Sequence, residues 1–184
     1  MLTLTFLVKT LIDLYIMVLL LRIWMQWTRC DFYNPFSQFI VKITQLVIHP
    51  LCRIIPLMGP LDSASLLLAF VLAMIKFPLL TLIEMRVVVL DFIYLLVGLL
   101  ALLKAIGELI FWVIIIRSLL SWASLGRSPM DVVFYQLSEP LMYPIRRLLP
   151  TMGGIDFSAM IVIIILYALN YLGMDLFPGI WYRL

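Results

Sequence analysis

Charged, aromatic, proline and glycine positions recur along this chain at one fixed interval, so any fold it adopts must be built from two like units. At an offset of 95, Lys9 aligns with Lys104, Asp13 with Glu108, Arg22 with Arg117 and Trp27 with Trp122. One residue is then lost. At an offset of 94, Asn34-Pro35 aligns with Ser128-Pro129, Pro50 with Pro144, Arg53 with Arg147 and Pro56 with Pro150. The densest match sets Pro56-Leu-Met-Gly59-Pro-Leu-Asp62 against Pro150-Thr-Met-Gly153-Gly-Ile-Asp156. Coincidences among so many chemically distinct residue types in one register mark a true internal repeat.

Each copy begins and ends on an apolar run. The stretches near 2–27, 61–83, 97–122 and 156–177 all approach the ~20 residues that cross a hydrocarbon core. Composition agrees: 65% of the 184 residues are hydrophobic and 12% charged, with a mean hydropathy of +1.17. Soluble domains carry about 25% charged residues, so this chain has too little polar surface to cover a water-soluble globule. The net charge of +3 is scattered, whereas a nucleic-acid footprint needs a contiguous basic face; no nucleic-acid partner is expected. The first run lacks a basic leader and a small-residue cleavage site, and Lys9 and Asp13 interrupt it. It therefore reads as a retained span rather than a signal peptide.

The expectation is an all-α membrane protein of two tandem parallel repeats. Copy 1 covers 1–83, a linker covers 84–96, and copy 2 covers 97–184. Within each copy, two membrane helices flank an interfacial segment, at about 35–56 in the first and 129–150 in the second. Two spans per copy give both copies the same orientation and place both loops on one membrane face. The linker reads as an interfacial helix running into the third span; a fifth short span is the alternative. Loop 28–60 carries Arg29, Lys42 and Arg53, and loop 123–155 carries Arg127, Arg146 and Arg147, against Arg86 and Arg183 on the other face. The positive-inside rule then puts the long loops in the cytoplasm and both termini outside.

Each loop opens with a helix start, Asn34 or Ser128 as N-cap followed by proline, and Ser128-Pro-Met-Asp131 resembles a capping box. Phe36, Phe39, Ile40, Ile43 and Val47 recur at helical spacing, which predicts a helix lying in the interface with this stripe toward lipid. The loop closes on Pro50-Leu-Cys-Arg53-Ile-Ile-Pro56 or Pro144-Ile-Arg146-Arg147-Leu-Leu-Pro150. Proline at both ends limits each to about one turn, with the arginines facing anionic lipid headgroups or a protein partner. Asp62 and Asp156 stand where the chain re-enters the membrane and suit a capping role. They also suit ion pairs with Arg22 and Arg117, since an isolated arginine at depth costs about 2.5–3.5 kcal/mol on insertion scales.

Lys9/Asp13 and Lys104/Glu108 are spaced i,i+4, which allows intrahelical pairing or a polar pathway between the copies. Lys76, Asn170 and Asp175 find no convincing counterparts in the repeat. Chemistry of other kinds is hard to seat here. His49 is the single histidine and faces Tyr143 across the repeat, Cys30 and Cys52 do not recur, and no phosphate loop, zinc spacing or nucleophile triad is visible. Neither an enzyme nor a cofactor or metal site is expected.

Arg22-Ile-Trp-Met-Gln-Trp27, Arg117-Ser-Leu-Leu-Ser-Trp122, the two proline-framed segments and Gly153-Gly-Ile-Asp-Phe-Ser158 resemble the YggT (YlmG-type) family of integral membrane proteins of bacteria and plastids. The resemblance covers essentially the whole chain. Copy 1 departs from the family pattern, with Cys52 in place of the first arginine of an Arg-Arg pair and Pro60 in place of a glycine. The resemblance implies a bacterial inner-membrane protein of osmotic or extracytoplasmic stress tolerance, linked to potassium uptake. It also implies the alternative of a scaffold or assembly factor, since relatives sit among division genes or serve nucleoid distribution and haem-attachment assembly. It carries no catalytic residue set. Four spans are few for a sealed pathway, so transport would favour a homodimer.

Overall fold

The computed structural model describes residues 2–53, 62–86, 91–123, 128–149 and 157–184, and six α-helices carry most of them. In chain order they are α1 (Leu2–Trp27), α2 (Pro35–Cys52), α3 (Ser63–Met85), α4 (Ile93–Ala123), α5 (Pro129–Leu148) and α6 (Ser158–Leu176). The order long, short, long occurs twice, in step with the sequence repeat. Helices α1, α3, α4 and α6 are long and apolar enough to cross a membrane. Trp27 and Trp122 stand exposed at the ends of α1 and α4, where amphipathic rings favour the headgroup level.

Local chemistry sets the helix ends. The Asn34 side chain accepts from Phe36 N–H at 3.0 Å, with Pro35 at the first helical position. In α5 the expected capping box forms: Ser128 Oγ accepts from Met130 N–H, and Asp131 Oδ2 accepts from Ser128 N–H at 2.9 Å. Arg86 ends α3 in the left-handed conformation at φ 55°, its N–H bonding to Leu82 O. Helix α3 runs to Met85 and residues 93–96 form the first turn of α4; residues 87–90 of the expected linker lie outside the described residues.

The proline-framed segments also differ from expectation. Helix α2 runs through Pro50 to Cys52, and α5 runs through Pro140 and Pro144 to Leu148. A proline near a helix C-terminus removes one amide bond, and flanking turns hold the helix through it. The closing prolines Pro56 and Pro150 lie outside the described residues. The apolar stripe of α2 is divided as well. Ser37, Ile40, Thr44 and Ile48 are buried, while Phe39, Ile43, Leu46 and Val47 face outward.

Packing is most extensive between α1 and α3, followed by α3 with α4 and α4 with α5. Ser65, Ala69 and Ala73 recur every fourth residue of α3 and are fully buried, the small-residue row that lets membrane helices approach closely. Gly98 serves the same end between α3 and α4, where a Cβ would meet the Met74 side chain and crowd its backbone. Helices α2 and α5 touch each other at one end of the bundle. The Phe36 and Phe134 rings lie 5.5 Å apart, Asn34 Nδ2 donates to Pro129 O, and Asp31 N–H donates to Gln136 Oε1.

Candidate functional site

The charged residues divide between two levels of the bundle. At the α2/α5 end each copy carries a clasp built on its arginine. Arg22 Nε donates to Asp62 Oδ2 at 3.1 Å, and its Nη1 donates to Thr44 Oγ1 at 2.7 Å. Asp62 is only 3% exposed and also caps α3 by accepting from Ser65 N–H at 3.2 Å. Capping and ion pairing, alternatives in the sequence, are thus both performed by this carboxylate. One guanidinium ties α1, α2 and the start of α3 together.

Arg117 holds copy 2 in a related way. Its Nη1 donates to Ser138 Oγ at 2.6 Å and contacts Met142 Sδ, its Nη2 lies 3.9 Å from Glu139 Oε2, and it sits 5.0 Å from the Tyr135 ring centroid. Thr44 and Ser138 are 94 residues apart, and each hydroxyl passes its proton back to the carbonyl four residues earlier, Ile40 O or Phe134 O. Sequence reasoning missed this shared hydroxyl, although the repeat register contained it. The Arg117–Asp156 pair lies outside the described residues.

The loop arginines do not act as a set. Arg146 bonds Glu139 at 3.2 Å, which ties it to the copy 2 clasp. Its counterpart is Cys52, and that of Glu139 is Gln45, so copy 1 lacks both members of the pair. Arg53 and Arg147 are exposed, the latter stacked on the Tyr143 ring at 4.7 Å.

The second level is the opposite end of the spans. Here the expected i,i+4 pairing of Lys9 with Asp13 gives way to a contact between helices. Asp13 Oδ1 accepts from Lys76 Nζ at 2.6 Å, and the Lys76 side chain is 3% exposed. Lys76, set aside in the sequence, is the most deeply buried cation of this cluster, and its repeat counterpart is Asn170. A carboxylate on a neighbouring helix compensates a desolvated ammonium better than one on the same helix, where geometry keeps both partners on the surface.

Residues 177–184 fold back over this end. Their irregular backbone leaves carbonyls unpaired, and three lysines from three helices donate to them: Lys9 to Arg183 O at 3.4 Å, Lys76 to Leu184 O at 2.9 Å and Lys104 to Trp181 O at 3.3 Å. Carbonyls without a backbone partner take side-chain donors instead. The Trp181 indole packs against Gly173, where any Cβ would strike the ring, and its Nε1–H donates to Asn170 Oδ1 at 2.8 Å.

Between α4 and α6 this tail roofs a cavity of about 550 Å³. Lys104, Glu108 and Asn170 supply its polar groups, and Gly107, Phe111 and Tyr167 are among its other walls. Glu108 is exposed, and no ion pair joins it to Lys104. The equivalent place in copy 1, between α1 and α3, is closed by the Asp13–Lys76 pair. Of the sequence-predicted network, the structure thus joins Arg22 with Asp62 and gathers Lys9, Asp13, Lys104 and Glu108 at the tail end.

Comparison with known proteins agrees with this architecture. The family model described as CCB3/YggT matches residues 1–83 and 96–177, one segment per copy. "Uncharacterized protein YggT" of Escherichia coli (strain K12) is 56% identical, with 99% of each chain covered. A Vibrio alginolyticus protein, "Uncharacterized protein in proC 3'region", is 53% identical over 99% of each chain. A Haemophilus influenzae relative is 44% identical, covering 95% of this chain and 93% of its own. No solved structure matches. A repeated helix order, four apolar helices of spanning length and these full-length likenesses lead to one assignment: the chain is a multi-pass membrane protein and belongs to the CCB3/YggT family.

Proposed function

We propose that this chain is a non-enzymatic protein of the bacterial inner membrane that supports osmotic and extracytoplasmic stress tolerance through ion homeostasis, with potassium as the ion. The observation that carries this reading is the gathering of Lys9, Asp13, Lys76, Lys104 and Glu108 from the apolar runs of three helices. Ionisable groups within such runs are expensive, and in membrane proteins they mark pathways and relays. In the proposed topology the copies are parallel, α2 and α5 lie in the cytoplasmic interface against anionic headgroups, and both termini are periplasmic. A homodimer is the assembly that four spans per chain favour.

Two experiments test it. Charge reversal at Lys9, Asp13, Lys104 and Glu108 is expected to abolish salt tolerance in cells while membrane levels hold. Liposomes containing only the purified chain are expected to show potassium flux; repeated failure in verified folded samples counts against the reading.

A second reading, a scaffold that docks a cytoplasmic or membrane protein, is favoured by one observation: Arg53 and Arg147 are exposed at the ends of α2 and α5. Replacing both by Gln is expected to leave salt tolerance intact under ion homeostasis and to abolish it under the scaffold.

A further inference from the structure

We infer that the cavity between α4 and α6 is a binding site for a small zwitterion with an apolar body, an organic ammonium carboxylate whose two charges stand about one helical turn apart. The volume of about 550 Å³ falls in the range of small-molecule sites. Its polar groups are arranged by sign. Glu108, one turn along the same helix from Lys104, offers a carboxylate that no hydrogen bond or ion pair engages among the described residues. At the tail end Lys104 gives one bond to Trp181 O, which leaves donor capacity on its ammonium. Asn170 accepts from the Trp181 indole through its oxygen, so its amide nitrogen remains as a donor.

The walls between these groups suit the ligand. Phe111 and Tyr167 meet edge to face at 5.8 Å beside Glu108, and Trp181 closes the roof. Aromatic faces attract quaternary ammonium groups, and a carboxylate among them is their counter-ion. Charge balance selects the zwitterion over a bare cation. Lys104 and Glu108 sum to zero, and residues four apart on a helix hold their Cβ atoms about 5–6 Å from each other. A dipolar ligand laid antiparallel to them keeps the site neutral, whereas a cation alone leaves a net charge. Gly107 makes the room, because a Cβ built there would meet no atom within 4 Å. This inference rests on the cavity alone, so its failure leaves the ion-homeostasis reading standing.

The test is saturation-transfer NMR on the full chain in nanodiscs, titrated with 4-(trimethylammonio)butyrate and with its one-charge analogues, butyltrimethylammonium and butyrate. The zwitterion is expected to bind saturably and at least tenfold more tightly than either analogue. Glu108→Gln is expected to weaken it tenfold or more and Asn170→Leu severalfold. Gly107→Leu, which fills open space and leaves the tail contacts in place, is expected to abolish binding while the thermal transition stays at or above that of the parent. Equal binding of butyltrimethylammonium would overturn the zwitterion assignment. Signal unchanged by Gly107→Leu, or a cavity found filled only by lipid acyl chains that the zwitterion does not displace, would overturn the site.

Discussion

Copy 1 and copy 2 place equivalent residues at the tail end of the bundle and reach opposite results. In copy 1, α3 presents Ala69 and Ala73 to the bundle interior, α1 brings Ile12, and Asp13 joins Lys76 across the contact. The register substitutes Ile163 and Tyr167 for the two alanines, Gly107 for Ile12 and Asn170 for Lys76. Larger residues on α6 hold it away from α4, and a missing side chain on α4 leaves the gap unfilled. The pairing of α1 with α3 is accordingly the more extensive. One copy thus cancels its acidic group internally, and the other exposes that group in a cavity. Duplication supplied two frames, and a handful of side-chain volumes separates a packed seam from an open one.

The largest effect expected from disturbing this contrast is at Lys76. Lys76→Met strands Asp13, whose side chain is 33% exposed, and should cost roughly 3 kcal/mol, the upper end for leaving a partly buried acceptor unsatisfied. The added change Asp13→Asn should recover most of it. Asn170→Leu, at the equivalent place, should cost no more than about 1 kcal/mol, the scale of one neutral hydrogen bond. Thermal unfolding in mild detergent reads all three; equal losses at the two positions would erase the distinction between the copies.

Exchanging the volume residues comes next. Ile12→Gly should cost about 2–4 kcal/mol, from lost packing plus the helix penalty of glycine. Gly107→Ile should be neutral or gain up to about 1 kcal/mol. At the arginine clasps the copies should instead behave alike. Thr44→Val and Ser138→Ala each remove the hydroxyl acceptor and should cost about 1 kcal/mol, measured in the same way. The smallest effect concerns copy 1 alone. Burial pushes the Cys30 thiol above its ordinary range, against a smaller opposing contribution from its hydrogen bond with Thr28. Little thiolate forms at neutral pH, so a water-soluble maleimide should label Cys30 slowly, faster as pH rises. Rapid labelling at pH 7 would show that the α1–α2 turn opens.

Much of this was readable in advance because membrane solvation turns composition directly into length and polarity rules. All four apolar runs became helices, α1 at the expected bounds, and both N-caps formed as written. The Arg22–Asp62 pair was readable because the repeat set each arginine near an aspartate at the same end of the spans. Partner choice was less so. Periodicity ranks neighbours on one helix, so Lys9 seemed the natural mate for Asp13, while the true partner comes from α3 by a packing decision that no single helix records. Applying the offset of 94 to every polar residue would have paired Lys76 with Asn170 and Thr44 with Ser138. No such signal existed for Trp181, because its role depends on an irregular turn and on the absence of a side chain at Gly173.

The tail's contacts bear on the order in which the molecule is completed. Lys9 and Arg183 are 174 residues apart, yet they meet, and Lys76 reaches Leu184 across 108. A ribosome delivers the first copy long before the residues that receive its lysines. Until then the ammonium of Lys76 has Asp13 alone, and that of Lys9 has only water or headgroups near the span end. Insertion of the first two spans is therefore a waiting state, and closure of the bundle is a late step that draws both copies together at once.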